Sequence, residues 1–108
     1  MPMKVIKIKE TCLYIRDLKK AKDFYHGMLG LPVITYLENK HLFLRAGDSV
    51  LLCFNPEDSK NKTSPPAHFG GGKQHFAFEV SLAAYTEIKE ELLSRGIRLT
   101  DEVTWKSG

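Results

Sequence analysis

An internal repeat is the feature of this sequence that most restricts how the chain can fold. The segment ETCLYIRD, which begins at Glu10, aligns with HFAFEVSL, which begins at His75. One inserted residue then brings Gly30 into line with Gly96. In both copies a segment with strand-like alternation is followed by a helical pattern that ends at the glycine. The sequence therefore predicts two copies of one supersecondary unit.

The first copy carries the signals of one helix and four strands. Residues 5–17 are rich in β-branched and aromatic side chains, which predicts a strand, and Asp17 is a suitable N-cap for a helix that ends at Gly30. Short polar segments of hairpin length separate three further apolar runs, which are predicted to be strands at 33–37, 41–46 and 49–54. The predicted order within residues 5–54 is β-α-β-β-β.

The second copy is shorter than the first. Residues 55–73 are polar and rich in proline and glycine, which indicates a linker, and their three consecutive glycines lack the GxxxxGK[ST] spacing of a phosphate-binding loop. A strand at 74–80, a helix that starts near Leu82 and a strand at 97–105 are predicted next. Counterparts of the third and fourth strands are missing, so the second module, 74–108, is expected to be truncated. The chain is then either part of a longer protein or is completed by a partner.

Composition argues against several classes of protein. With 108 residues, of which 43% are hydrophobic and 27% charged, the chain resembles one small soluble domain. It has no apolar run of the roughly 20 residues that a transmembrane helix needs, and its N-terminus does not resemble a secretory signal, which predicts a cytoplasmic protein without a membrane partner. Its 16 Lys and Arg are interleaved with 13 Asp and Glu, so no nucleic-acid-binding stripe is predicted. Cys12 and Cys53 lack metal-binding spacing and are expected to be buried, reduced thiols.

The repeat places two potential metal ligands at equivalent positions. Glu10 and His75 open the first strand of each copy, and the alternation of each strand puts them on the face that points away from the helices. A carboxylate and an imidazole together suit a divalent ion such as zinc, nickel, manganese, cobalt or iron. We therefore predict that Glu10 and His75 are ligands of one metal ion.

Further polar side chains are predicted to line or border the same cavity. The candidates for contact with a small-molecule substrate are Tyr14, Arg16, Arg45 and Glu79. His26 is explained by its place at the end of a helix, and no ligand role is expected for His41, which follows a turn, or for His68, which lies in the linker.

Several of these segments together resemble the vicinal oxygen chelate superfamily, the group of glyoxalase I, bleomycin-resistance proteins and extradiol dioxygenases. The similar segments, in the family's order, are LYIRDL from Leu13, Phe24-Tyr25, Leu29-Gly30-Leu31, Val50-Leu51-Leu52 and HFAF from His75. The resemblance implies an α+β fold in which tandem βαβββ modules form a curved mixed sheet, here as one domain over residues 1–108. It also implies that the first strand of each module supplies a metal ligand. The last strand of a module can supply a further carboxylate, but the stretch from Leu51 to Phe54 offers none.

The resemblance leaves two functions open. One is a divalent-metal-dependent enzyme that acts on a small oxygen-chelating substrate, by a lactoylglutathione-lyase-like isomerisation or related electrophilic chemistry; no catalytic base is assigned. The alternative is a metal-free protein that sequesters an antibiotic, which the apolar Leu52 and Phe54 favour. A homodimer is expected in either case, because a truncated module exposes a sheet edge and because the cleft in this family is often built from two chains.

Overall fold

The computed structural model describes residues 3–61 and 67–104, which divide into two units, Met1–Phe76 and Ala77–Gly108. The elements of the first unit are β1 (Glu10–Tyr14), α1 (Leu18–Lys22) with a π-helical continuation (Asp23–Met28), β2 (Val33–Leu37), β3 (His41–Ala46), β4 (Ser49–Phe54) and α2 (Pro56–Ser59). The element of the second unit is α3 (Leu82–Ser94). Within the described residues no helix is both long enough and apolar enough to cross a membrane.

The first unit is a complete βαβββ module with a four-stranded mixed sheet. The strand order is β1-β4-β3-β2, in which β1 runs parallel to β4 and the other neighbours are antiparallel. Its last three strands have the bounds that the sequence predicts, because the turns between them are strongly specified. Asn39 and Gly47 both adopt a positive φ at these turns, 64° and 59°, which Asn and Gly tolerate best. The first strand is shorter than the predicted 5–17, since its regular pairing with β4 begins at Glu10.

The helix that follows β1 begins and ends where the sequence predicts. Asp17 is its N-cap, and the Asp17 Oδ1 atom accepts a hydrogen bond of 3.0 Å from the backbone N–H of Lys20. Gly30 follows the last turn with φ at 79°, the left-handed conformation that ends many helices. The helix buries Leu18 and Ala21 against one face of the sheet.

Alternation along the strands builds the core on that same face. Its members from the sheet are Leu13, Leu42, Leu44, Leu51 and Cys53, which are at most 6% exposed. The neighbours of these residues along each strand point to the opposite side of the sheet. The sheet therefore has one face covered by α1 and a second face available for other contacts.

The second unit differs from the prediction in its strands. Its helix α3 is present, capped by Ser81 and followed by Gly96 with φ at 81°. The strands predicted at 74–80 and 97–105 do not form in the described residues; the last residue of the second range lies outside them. In the first unit β1 pairs with β4 and β2 pairs with β3, and among the described residues of the second unit no strand forms that could pair with the counterparts of β1 and β2.

The segment after α3 is instead held to the helix by side chains. Glu102 accepts hydrogen bonds from the Tyr85 hydroxyl at 2.5 Å and from Lys89 Nζ at 2.9 Å. These bonds, first that from Tyr85 and then that from Lys89, lower the pKa of Glu102. The segment thus packs along the helix without forming a strand.

Candidate functional site

The face of the first unit's sheet that α1 does not cover is the candidate functional site, and we call it the open face. The strand registers set its residues in three rows across β1, β4 and β3, which are Glu10, Val50 and Arg45; Cys12, Leu52 and Phe43; and Tyr14, Phe54 and His41. The first row carries two exposed charged side chains, and the third is aromatic. The open face is therefore polar at one end and aromatic at the other.

The aromatic end is a continuous cluster of rings. His41 stacks on Phe43 with centroids 4.3 Å apart, and Phe43 meets Phe54 edge-on at 5.4 Å. Phe54 in turn contacts the ring of His68 at 4.5 Å and 78°. His68 covers Phe54, which is only 7% exposed although it lies on the open face. His41 and His68, for which no ligand role is predicted, thus belong to the lining of this face.

His68 reaches the open face because α2 holds its backbone. The Ser59 hydroxyl donates a hydrogen bond of 2.7 Å to the His68 carbonyl oxygen, and the His68 N–H donates one of 3.2 Å to the Ser59 carbonyl oxygen. Ser59 is fully buried. Part of the predicted linker 55–73 is therefore a packed element. The sequence signal for α2 is Asn55 before Pro56, an N-cap followed by a proline in the first turn, and the Asn55 side chain does accept a bond from the N–H of Glu57.

Tyr14 lies on the edge strand β1, and its hydroxyl, its backbone and its ring each make a specific contact. Its hydroxyl is 3.0 Å from Nδ1 of His68. The backbone N–H of Tyr14 donates to Oε1 of Gln74 at 2.7 Å, and Nε2 of Gln74 donates to the carbonyl oxygen of Tyr14 at 2.8 Å. The Gln74 side chain therefore pairs with β1 as a neighbouring strand would. Gly70 packs so closely on the Tyr14 ring that a Cβ atom at Gly70 would lie 2.6 Å from Cδ2.

Two ionisable groups of β1 on the open face, the Cys12 thiol and the Tyr14 hydroxyl, are kept in their neutral forms. Desolvation raises the pKa of the Tyr14 hydroxyl, and the Cys12 thiol adds to this effect at the alkaline pH where it ionises. Desolvation also raises the pKa of the Cys12 thiol, with a further contribution from the negative charge of Glu10. At neutral pH both groups are therefore hydrogen-bond donors and not nucleophiles.

The predicted cavity residues are divided between several places. Tyr14 and Arg45 lie on the open face. Arg16, which follows β1, is bound instead to α2, with its guanidinium 2.6 Å from Oε1 of Glu57. Hydrogen bonds from Lys60 and then from Arg16 lower the pKa of the Glu57 carboxyl. Glu79 is an exposed residue of the second unit.

The predicted metal ligands do not form a complete site on their own. Glu10 is exposed at the start of β1, and His75 is exposed immediately after Gln74. Over residues 3–61 and 67–104, no three or more His, Cys, Asp or Glu side chains lie close enough together to hold a metal ion. Zinc usually takes at least three protein ligands, so these two donors fall short of the number that a tight site needs.

The family model and the solved structures that this chain resembles point to the same family. The family model of the Glyoxalase/Bleomycin resistance protein/Dioxygenase superfamily matches residues 7–105. A solved structure of lactoylglutathione lyase from Agrobacterium tumefaciens is 30% identical, with a TM-score of 0.86, and the match covers 97% of this chain and 81% of that one. A glyoxalase/bleomycin resistance protein/dioxygenase from Nocardioides is 17% identical, with a TM-score of 0.69 over 97% of this chain and 72% of that one, and shows the fold alone. No curated protein matches the sequence.

Proposed function

The chain belongs to the Glyoxalase/Bleomycin resistance protein/Dioxygenase superfamily, and from this premise we propose that it is a lyase or isomerase whose small substrate binds against the open face. The observation that carries the proposal is the similarity to lactoylglutathione lyase over nearly the whole chain. The substrate proposed is accordingly an adduct of a three-carbon oxoaldehyde with glutathione. The product would be the lactoyl thioester.

The two ends of the open face suit such a substrate. Arg45 presents a guanidinium at the polar end, which favours binding of a carboxylate of the thiol. Leu52 and Phe43, in the middle row, offer apolar contacts for the small acyl group. Neighbouring strands lie about 4.8 Å apart, and successive residues on one face of a strand lie about 6.7 Å apart. The three rows therefore form a surface roughly 13 Å long in the direction of the strands.

A divalent ion is part of the proposal, with Glu10 and His75 as two of its ligands. Carboxylate and imidazole donors fit the ions that this superfamily commonly uses. Because two donors are too few for tight binding, we propose that a further ligand comes from outside the described residues. A second copy of the chain is one such source, and a homodimer also accounts for the exposure of Leu82 (92%) and Val103 (62%) in the second unit.

The test begins with metal content. Protein expressed without a histidine tag is dialysed, its metal is measured, and thioester formation from methylglyoxal and glutathione is followed with added zinc, nickel, manganese, cobalt or iron. The Glu10→Gln and His75→Ala variants are expected to lose metal and activity together, while the matched controls Glu38→Gln and His26→Ala keep both. A wild-type protein that takes up none of these ions and forms no thioester refutes the proposal.

A metal-free binding protein is the second candidate, and the aromatic end of the open face favours it. The stacked His41 and Phe43, together with the His68 ring that covers Phe54, form a surface on which a planar ring system could lie. Titration calorimetry with bleomycin distinguishes the two functions. Tight binding that does not require metal, combined with absence of thioester formation, would favour this candidate over the enzyme.

A further inference from the structure

We propose that His68 is a substrate-binding residue of the open face and that Tyr14 is the positioning residue that fixes its ring. In this assignment the neutral imidazole donates a hydrogen bond from its Nε2–H to an oxygen atom of the ligand. The inference rests on the proposed function, because it assumes that the ligand lies on the open face. It adds a donor at the aromatic end, opposite the polar end where Glu10 lies.

Hydrogen bonds to Ser59 fix the backbone of His68. Two hydrogen bonds join it to Ser59, one in each direction, and the hydroxyl that donates one of them is fully buried. A buried hydroxyl without a partner is strongly unfavourable, so this bond holds the two residues together. The Cα atom of His68 consequently has a defined position over β1 and β4, although the segment carries no regular structure.

The ring of His68 is fixed by two further contacts. Its edge contact with Phe54 sets the tilt, and the Tyr14 hydroxyl reaches Nδ1 at 3.0 Å. A phenolic hydroxyl can donate or accept a hydrogen bond, and in our assignment the Tyr14 hydroxyl donates to Nδ1. A neutral imidazole that accepts at Nδ1 carries its own proton on Nε2.

The Nε2 atom is the part of this ring left for a ligand. Among the described residues none makes a hydrogen bond to it, and the side chain is only half-buried. Tyr14 and Phe54 form the third row of the open face, while Glu10 belongs to the first. The separation between these rows is about 13 Å along the strand, so a small molecule lying on Leu52 and its neighbours could reach both ends.

Preorganisation explains why Tyr14 matters to binding without touching the ligand. A histidine that samples several rotamers loses that freedom when it binds, whereas a ring already held at Nδ1 loses little. Removal of the Tyr14 hydroxyl should therefore weaken binding while leaving the donor in place. Removal of the imidazole should weaken binding more, because the donor itself is lost.

The experiment measures both affinity and turnover in the full chain. The probe is S-lactoylglutathione, titrated calorimetrically, and KM and kcat are measured for the reaction of methylglyoxal with glutathione. We expect His68→Ala to raise Kd and KM about tenfold and Tyr14→Phe about threefold, which corresponds to the loss of one hydrogen bond and of part of its orientation. His68→Gln, whose amide nitrogen can substitute for Nε2–H, should restore part of the affinity. His26→Ala is the matched control, since that ring bonds to the Leu31 carbonyl oxygen.

The outcomes separate this inference from the proposed function. Turnover in the wild type with Kd and KM unchanged in His68→Ala overturns the inference alone. Binding without turnover in the wild type, lost in His68→Ala, supports the inference and overturns the lyase. If the wild type neither binds the probe nor turns over, both are wrong. Should His68→Ala unfold, as judged by circular dichroism, Tyr14→Phe and His68→Gln decide the question, because an affinity equal to that of the wild type in both contradicts the assignment.

Discussion

A single methyl group at Gly70 is expected to disrupt the aromatic end of the open face. The Cβ atom of Gly70→Ala would lie 2.6 Å from Cδ2 and 2.7 Å from Cε2 of Tyr14. An ordinary carbon contact is about 3.5–4.0 Å, so the ring or the backbone must move by about 1 Å. A shift of that size would break the 3.0 Å bond between Tyr14 and His68.

The cost of this change can be estimated from the contact. Inserting a methyl group into a packed site costs typically about 1–3 kcal/mol, and loss of the hydrogen bond adds about 1 kcal/mol. We expect Gly70→Ala to lower the free energy of unfolding by about 2–4 kcal/mol. The assay is urea denaturation followed by far-ultraviolet circular dichroism. The free energy is obtained by linear extrapolation.

Two further variants make the measurement specific. Gly71→Ala is the matched control, because a Cβ atom there meets nothing within 4 Å and its stability should change by less than about 0.5 kcal/mol. In a Tyr14→Ala background the ring is gone, so Gly70→Ala should cost little, and the double-mutant cycle should show a coupling of about 1–3 kcal/mol. If the two glycine variants are equally stable, or if the cost of Gly70→Ala persists without the ring, the close packing of Gly70 on Tyr14 is refuted.

Three other predictions concern the core, the helix start and a buried thiol. Leu44→Ala, at a fully buried position, should lower the free energy of unfolding by about 2–5 kcal/mol in urea denaturation. A similar loss from Leu37→Ala, at an exposed position, would contradict the assignment of Leu44 to the core. Asp17→Ala should lower the free energy of unfolding by about 1 kcal/mol because the N-cap is lost, whereas Asp17→Asn should keep most of the stability of the wild type. Equal losses in the two variants would argue against capping. Desolvation first, and then the charge of Cys12, raises the pKa of Cys53 from 9.0 to about 12. A raised folded-state pKa favours the protonated thiol, so stability should fall above about pH 9 as the unfolded chain ionises, and Cys53→Ala should flatten that fall.

Much of the first module follows from its sequence because the signals are local. Polar turns between short apolar runs set the bounds of β2, β3 and β4, and Asp17 and Gly30 mark the two ends of the helix. Alternation along each strand also separates the core face from the open face. These features depend on neighbours within a few residues, which a sequence displays directly.

The parts that the sequence does not predict depend on partners far along the chain. A strand needs a second strand beside it, and the part of the chain that the structure describes supplies none for the pattern at 74–80. His68 comes to the open face because Ser59 holds it, and nothing in residues 67–70 indicates that contact. The start of α2 is the exception, since Asn55 before Pro56 is a local signal that indicates a packed element within the predicted linker.

The parallel pairing of β1 with β4 has a consequence for the order of folding. The two antiparallel hairpins that join β2, β3 and β4 close short turns, whereas β1 can pair only after the chain up to Phe54 is available. We therefore expect the hairpins to form first and β1 to join them late, with Gln74 then bonding to its outer edge at Tyr14. Pulse-labelling hydrogen exchange should show protection at Leu44 before protection at Leu13, and the reverse order would contradict this sequence of events. The surface on which we place the substrate would then be the last part of the first unit to form, and every synthesis or refolding of the chain would pass through a stage at which the core strands are joined but the binding face is not.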